Sequence, residues 1–191
     1  GALPIVAATL LTEHPVTLEN VPRIRDIETL VELLRSVGAE AEWRERNTLF
    51  VHAREVNPEK LDQALSKKIR GSILLAGSLL GRTGRCVLPP PGGDVIGRRR
   101  LDTHFLALQA LGVDFELTDV FTLKTRGLVG TDIFLDEPSV TGTENAMIAA
   151  VAAKGTTVLR NAACEPHVQD LAHFLVGLGA RIEGIGTNQL T

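Results

Sequence analysis

Three stretches of this 191-residue chain follow one plan. Leu18-Glu19-Asn20 and Leu159-Arg160-Asn161 are each followed, at equal distance, by a Gly-Ala pair, Gly38-Ala39 and Gly179-Ala180, so a single 141-residue offset carries both anchors. Val16-Thr17-Leu18 matches Thr157-Val158-Leu159, and Leu30 to Val37 matches Leu171 to Leu178. A middle copy sets Cys86-Val87-Leu88 at the strand position and Leu106 to Val113 at the helix position. From strand leucine to exit glycine is 20 residues in the outer copies and 24 in the middle one, and the four extra residues fall within Pro89 to Gly97. A repeat confines the fold to units that bury their apolar faces on one another, and a locally expanded copy is where function is added. The predicted units run about 1–52, 53–125 and 126–191 within one domain, an ordinary domain length.

Each unit reads as helix, strand, helix, strand, strand, which makes the chain α/β. Ala2–Leu11, Ile69–Leu80 and Asn145–Ala153 are apolar almost all round, so each is predicted to be a helix buried on every side. Ile27–Ser36 and Leu171–Leu178 are amphipathic, with Leu30, Leu33, Leu34 and Val37 on one face. The strands alternate, as in Asp114-Phe115-Glu116-Leu117, and so have one wet face. Helices inside and sheets outside invert the usual barrel. Asn57-Pro58 and the Thr141-to-Glu144 spacing of a capping box are the predicted helix starts of the second and third copies.

Composition removes several classes of function. The 44% hydrophobic and 23% charged content is globular usage, not that of a disordered tail. Ala2–Leu11 is too short for a membrane span, which needs about 20 residues, and no export signal is visible. Two cysteines form no disulfide scaffold, and the expected compartment is the reducing cytoplasm. A net charge of −3 with no Tyr and one Trp does not fit a nucleic-acid binder. Cys86, Cys164 and the five histidines show no metal-ligand spacing, and no metal or cofactor is expected. His104 and His173 are expected on helices, packed or at the surface. Gly81-Arg82-Thr83-Gly84-Arg85 is expected to be a turn, because the other copies have turns there.

Three places could carry chemistry. In Pro89–Asp102, prolines stiffen the entry, Gly92-Gly93 free the backbone before Asp94, and Gly97 precedes Arg98-Arg99-Arg100. A carboxyl beside three guanidinium groups suits an anionic substrate with proton transfer nearby, though an exposed Asp neutralising arginines has the same pattern. Pro138-Ser139-Val140-Thr141 leads into a helix, whose free N–H groups attract phosphate unless the cap satisfies them. Arg70 lies among Ile69, Ile73 and Leu74, where a half-buried cation needs a partner.

Taken together, Gly1-Ala2-Leu3-Pro4-Ile5, Asn20-Val21-Pro22, Pro91-Gly92-Gly93, Ile96-Gly97-Arg98-Arg99, Asp102-Thr103-His104, Ser139 to Asn145 and Asn161 to Pro166 resemble the UDP-N-acetylglucosamine 1-carboxyvinyltransferases, enolpyruvyl transferases of the EPSP synthase-like superfamily. The resemblance covers the whole chain. It implies an inside-out α/β barrel domain of three pseudo-repeats, with buried helices and outer mixed β-sheets. It implies transfer of enolpyruvate from phosphoenolpyruvate to the 3′-hydroxyl of UDP-N-acetylglucosamine with release of phosphate, the first committed step of peptidoglycan synthesis. Asp94 then resembles the proton donor and Arg99 the arginine that meets both substrates. Arg100, Leu101, Asp102 and Thr103 align with the uridine-holding stretch, Ser139 and Val140 with a diphosphate-binding turn, and Arg70 with a substrate-binding arginine. Most of the family carries Cys where Asp94 stands, and Arg100 replaces a usual Pro. Asp lacks the thiolate that fosfomycin alkylates.

The chain opens on Gly1 inside an apolar run, without the family's preceding Lys-Asn pair, and its third copy stops at Thr191 where the first continues to Val51. The expectation is a fragment, inactive alone, whose partner domain supplies a base and further arginines. The alternatives are the shikimate-pathway enolpyruvyl transferase and a non-catalytic three-repeat binding module.

Overall fold

The computed structural model describes residues 1–90 and 101–191. Its centre is three apolar helices packed on one another: α1 (Ala2–Ala8), α4 (Leu75–Thr83) and α6 (Val140–Ala150). Every residue from Leu75 to Leu80 and from Gly142 to Ala149 is buried, as helices without a polar face must be. The predicted spans shift at their ends. α1 tightens into a 3-10 turn over Thr9–Leu11, α4 is preceded by a 3-10 segment at Arg70–Leu74, and α6 starts at Val140 rather than at Asn145.

Three more helices lie against this centre: α2 (Arg25–Ser36) on α1, α5 (Asp102–Ala110) on α6, and α7 (Pro166–Gly177) on α1 and α6. In α2, Ile27, Leu30, Val31, Leu33 and Leu34 form the buried face. Asp26 and Glu28 in its first turn and Arg35 in its last complement the helix dipole. All three helices end alike. Gly38, Gly112 and Gly179 have φ of 106°, 97° and 106°. The next residue then donates back to the carbonyl five positions earlier, Ala39 N to Leu34 O, Val113 N to Leu108 O and Ala180 N to Leu175 O, at 3.1, 3.1 and 3.0 Å. This is a glycine-dependent C-cap built three times. Asn20 and Asn161, two residues beyond the matched strand leucines, are also both left-handed, with φ 57° and 58°.

Each sheet has three strands. β1 (Val16–Leu18), β3 (Thr48–His52) and β2 (Glu40–Glu45) form the first, in that order and antiparallel. β4 (Arg85–Leu88), β6 (Phe121–Lys124) and β5 (Asp114–Leu117) repeat it. The third sheet departs from the predicted order. β8 (Val158–Arg160) pairs antiparallel with β9 (Gln189–Leu190), but its other edge takes β7 (Asp132–Phe134), which runs parallel and precedes α6. Exposed Glu40 and Glu42 flank buried Ala41, leaving one face of the first sheet to solvent.

Other expectations are corrected. Asn57 caps only the 3-10 turn Pro58–Lys60, and Asp62 caps the short α3 (Gln63–Ser66). The capping box does not form, because Ser139 is the N-cap of α6 and Glu144 is buried a turn inside it. Arg82 and Thr83 belong to the last turn of α4, and only Gly84 turns the chain. Arg82 there donates to Leu10 O at 2.7 Å, a carbonyl left over at the end of the first central helix, and to Ala53 O at 3.0 Å, just beyond β3. No helix among the described residues is long and apolar enough to cross a membrane.

Candidate functional site

A cleft of about 760 Å³ opens where the start of α1, the 3-10 segment before α4, and the first turns of α6 and α7 meet. Arg70, Ser139, Val140, Thr141, Glu144 and His167 face it. Of the residues singled out in the sequence, the fold thus brings Arg70, Ser139 and Val140 to one place. Arg70 is half-buried at the head of its 3-10 segment, held there by the buried Ile69 and Ile73 on either side. Ser139 Oγ accepts from Gly142 N at 3.1 Å, so the cap is satisfied. The amides of Val140 and Thr141 have no acceptor among the described residues and remain at the positive end of the helix.

Leu101, Asp102 and Thr103 do not line the cleft. They begin α5, whose N-terminus abuts that of α6: Thr103 is buried and donates to Asp136 Oδ1 at 2.6 Å. A Cβ on Gly142 would stand 2.9 Å from Thr103 Cγ2, so glycine lets the two helix starts approach. Asp102 is exposed. Asp94, Arg99 and Arg100 lie outside the described residues.

The sequence did not mark a buried polar network behind the cleft. Asn145, inside α6, accepts from Gly77 N through Oδ1 at 2.9 Å and donates through Nδ2 to Ile73 O at 3.0 Å. The same Nδ2 lies 3.1 Å from His104 Nδ1, and His104 Nε2 lies 3.1 Å from Thr141 Oγ1. His104 is therefore the packed histidine the sequence allowed, 1% exposed. Burial, with help from the Arg70 charge, lowers its pKa to about 4. Glu144, 2% exposed, has no hydrogen-bond partner for its carboxyl among the described residues. Burial raises its pKa to about 7 against the pull of the Gly1 ammonium, and Glu165 adds to the rise. The available signal for both was a polar pair, Glu144-Asn145, at the mouth of an apolar run.

These two groups set opposing pH dependences. Glu144 keeps a proton that the unfolded chain loses from its ordinary 4.5 upward, so its stabilisation is complete below 4.5 and lost as pH rises to about 7. His104 refuses a proton that the unfolded chain gains from 6.5 downward, so its stabilisation is complete above 6.5 and lost as pH falls to about 4. Between 4.5 and 6.5 the two slopes nearly cancel. Glu144→Gln is expected to uncover the histidine slope. Its stability, from urea unfolding, should fall by about 3 kcal/mol from pH 6.5 to 4. A flat profile in that variant contradicts the assignment.

Residues 1–191 match the family described as EPSP synthase (3-phosphoshikimate 1-carboxyvinyltransferase), and the chain belongs to that family. Among curated relatives, it is 69% identical over 190 residues to UDP-N-acetylglucosamine 1-carboxyvinyltransferase of Bradyrhizobium diazoefficiens, with 100% of this chain and 44% of the relative covered. It is 53% identical over 191 residues to the protein of the same name from Treponema pallidum, covering 100% and 45%. Of solved structures, the enolpyruvyl transferase NikO from Streptomyces tendae superposes with a TM-score of 0.84 at 27% identity, over 98% of this chain and 44% of that one. EPSP synthase from Acinetobacter baumannii, at 17% identity and a TM-score of 0.73 over 98% and 44%, shares the fold. The chain thus spans a little under half the length of the curated relatives it matches.

Proposed function

We propose that this chain is one domain of an enolpyruvyl transferase that moves enolpyruvate from phosphoenolpyruvate to the 3′-hydroxyl of UDP-N-acetylglucosamine, a step of peptidoglycan synthesis in the cytoplasm. One observation carries the reading: in a chain 69% identical throughout to a transferase of that name, Arg70, Ser139 and Val140 converge on one cleft from distant points of the sequence. The domain is an inside-out α/β barrel of three copies of one unit, about 1–52, 53–125 and 126–191. The thrice-built glycine cap and the paired left-handed asparagines support that division.

In the proposed reaction the sugar hydroxyl adds to the enol carbon while the methylene takes a proton. Loss of phosphate and of a methyl proton restores the double bond. Cations and helix-end amides stabilise the phosphates and carboxylate. Arg70, Ser139 and Val140 bind the anionic part of the sugar nucleotide. Asp94 is the proposed proton donor, Arg99 the proposed contact to both substrates, and Arg100, Leu101, Asp102 and Thr103 the proposed uridine stretch. The remaining half of the cleft comes from a partner domain, which is why the isolated chain is proposed to be inactive. In a thermal-shift titration, UDP-N-acetylglucosamine should raise the melting temperature of the chain and shikimate 3-phosphate should not. The opposite preference overturns the reading in favour of the shikimate enzyme, and no response to either favours a module with another ligand.

A further inference from the structure

The tautomer of His104 follows from backbone chemistry alone. Gly77 N–H can only donate, so the Asn145 atom it meets at 2.9 Å is the carbonyl oxygen and the other is the amide nitrogen. That nitrogen donates to Ile73 O and turns a proton toward His104 Nδ1. Nδ1 therefore accepts, the ring proton sits on Nε2, and Nε2 donates to Thr141 Oγ1 at 3.1 Å. Thr141 Oγ1 is thereby an acceptor on its buried side, and its own proton has no acceptor among the described residues. Thr141 is half-buried and faces the cleft, beside first-turn amides that have no acceptor among the described residues.

We propose that the Thr141 hydroxyl is a further ligand for the diphosphate of a nucleotide sugar in this cleft, and that His104 is a positioning residue that turns the hydroxyl proton toward it. The inference rests on the functional reading above. A second feature of the cleft points to the same ligand. One turn further along the same face of α6 stands Glu144, 2% exposed, whose carboxyl faces the cleft near the Gly1 ammonium and has no hydrogen-bond partner among the described residues. Its neutral form, favoured by burial, does not repel an anion and has a proton to donate. A neutral imidazole behind a hydroxyl is also the arrangement that adds a directed donor without adding charge. Arg70 already supplies charge to the same cleft.

The test uses Thr141→Val, which keeps shape and removes the hydroxyl. The dissociation constant of the chain for UDP-N-acetylglucosamine, by calorimetry, should rise about tenfold or more, as for a lost hydrogen bond to a charged group. Affinity for uridine, which has no phosphate, should not change. His104→Gln, whose amide can still donate to Thr141, should retain most of the affinity for the sugar nucleotide. Imidazole nitrogen shifts of the unaltered chain should show His104 protonated on Nε2, a readout that needs no variant to fold. Protonation on Nδ1, or an unchanged dissociation constant in Thr141→Val, overturns the inference alone. An unaltered chain that binds no UDP-N-acetylglucosamine overturns the functional reading and this inference together.

Discussion

Asn145→Leu is expected to destabilise the chain by about 3–5 kcal/mol, the range for breaking a buried network. The leucine fits an apolar surrounding, so the loss comes from what it leaves behind. Gly77 N, Ile73 O and His104 Nδ1 each lose a partner in a region closed to water. An orphaned buried polar group costs roughly 1–3 kcal/mol. The site cannot relax by sliding the helices, because α4 and α6 are already in close contact: a Cβ on Gly77 would lie 2.8 Å from the Asn145 carbonyl oxygen. Urea unfolding should show a lower midpoint with an unchanged slope. A variant within about 1 kcal/mol of the parent chain would mean that the network adds no net stability. Because Thr141 hangs on the same network, Asn145→Leu should also weaken the sugar nucleotide.

The second large effect concerns fosfomycin. Incubation of the chain with the epoxide is expected to leave its intact mass unchanged, whereas a thiolate at position 94 would be alkylated. Asp94 offers a carboxylate, a much weaker nucleophile toward an epoxide. The two thiols that exist do not replace it. Cys86 is buried in β4, and burial pushes its thiol well above the ordinary range, so it carries no thiolate. Cys164 is exposed but stands in the loop before α7 and does not line the cleft. A stoichiometric adduct mapped to Asp94 would refute this prediction. By extension, a complete transferase built on this chain should turn over in the presence of the drug.

Much of the fold was legible because burial writes itself into composition. α1, α4 and α6 are apolar on every side, and no surface helix can be. Their ends were less legible, since a 3-10 turn and an α-turn share the same residues at Arg70–Leu74 and Thr9–Leu11. β7 was not legible at all. Asp132-Ile133-Phe134 is too short to alternate, and its parallel partner Val158 lies 26 residues away across a whole helix. Arg70, Ser139 and Val140 were marked for local reasons, a cation among apolar residues and a helix start. Thr141 fell in the same marked helix start and His104 was expected on a helix, but the network that joins them through Asn145 was not marked, because three separate elements meet to make it. A single sequence carries no trace of that meeting. Glu144 misled for a related reason. Its spacing from Thr141 is that of a capping box, but Ser139 satisfies the helix start first, and the glutamate turns into the cleft wall.

The three central helices also set a schedule for the chain as it is made. α1 is complete by Ala8, whereas α6, one of its two apolar partners, does not finish until residue 150. At about 5–20 residues per second, the part of α1 that packs on α6 waits roughly 7–30 s, while α2 and α4 cover its other faces sooner. The chain therefore passes through a long aggregation-prone interval before its last central helix arrives, and a cell that makes it must either keep the nascent chain occupied or keep it dilute.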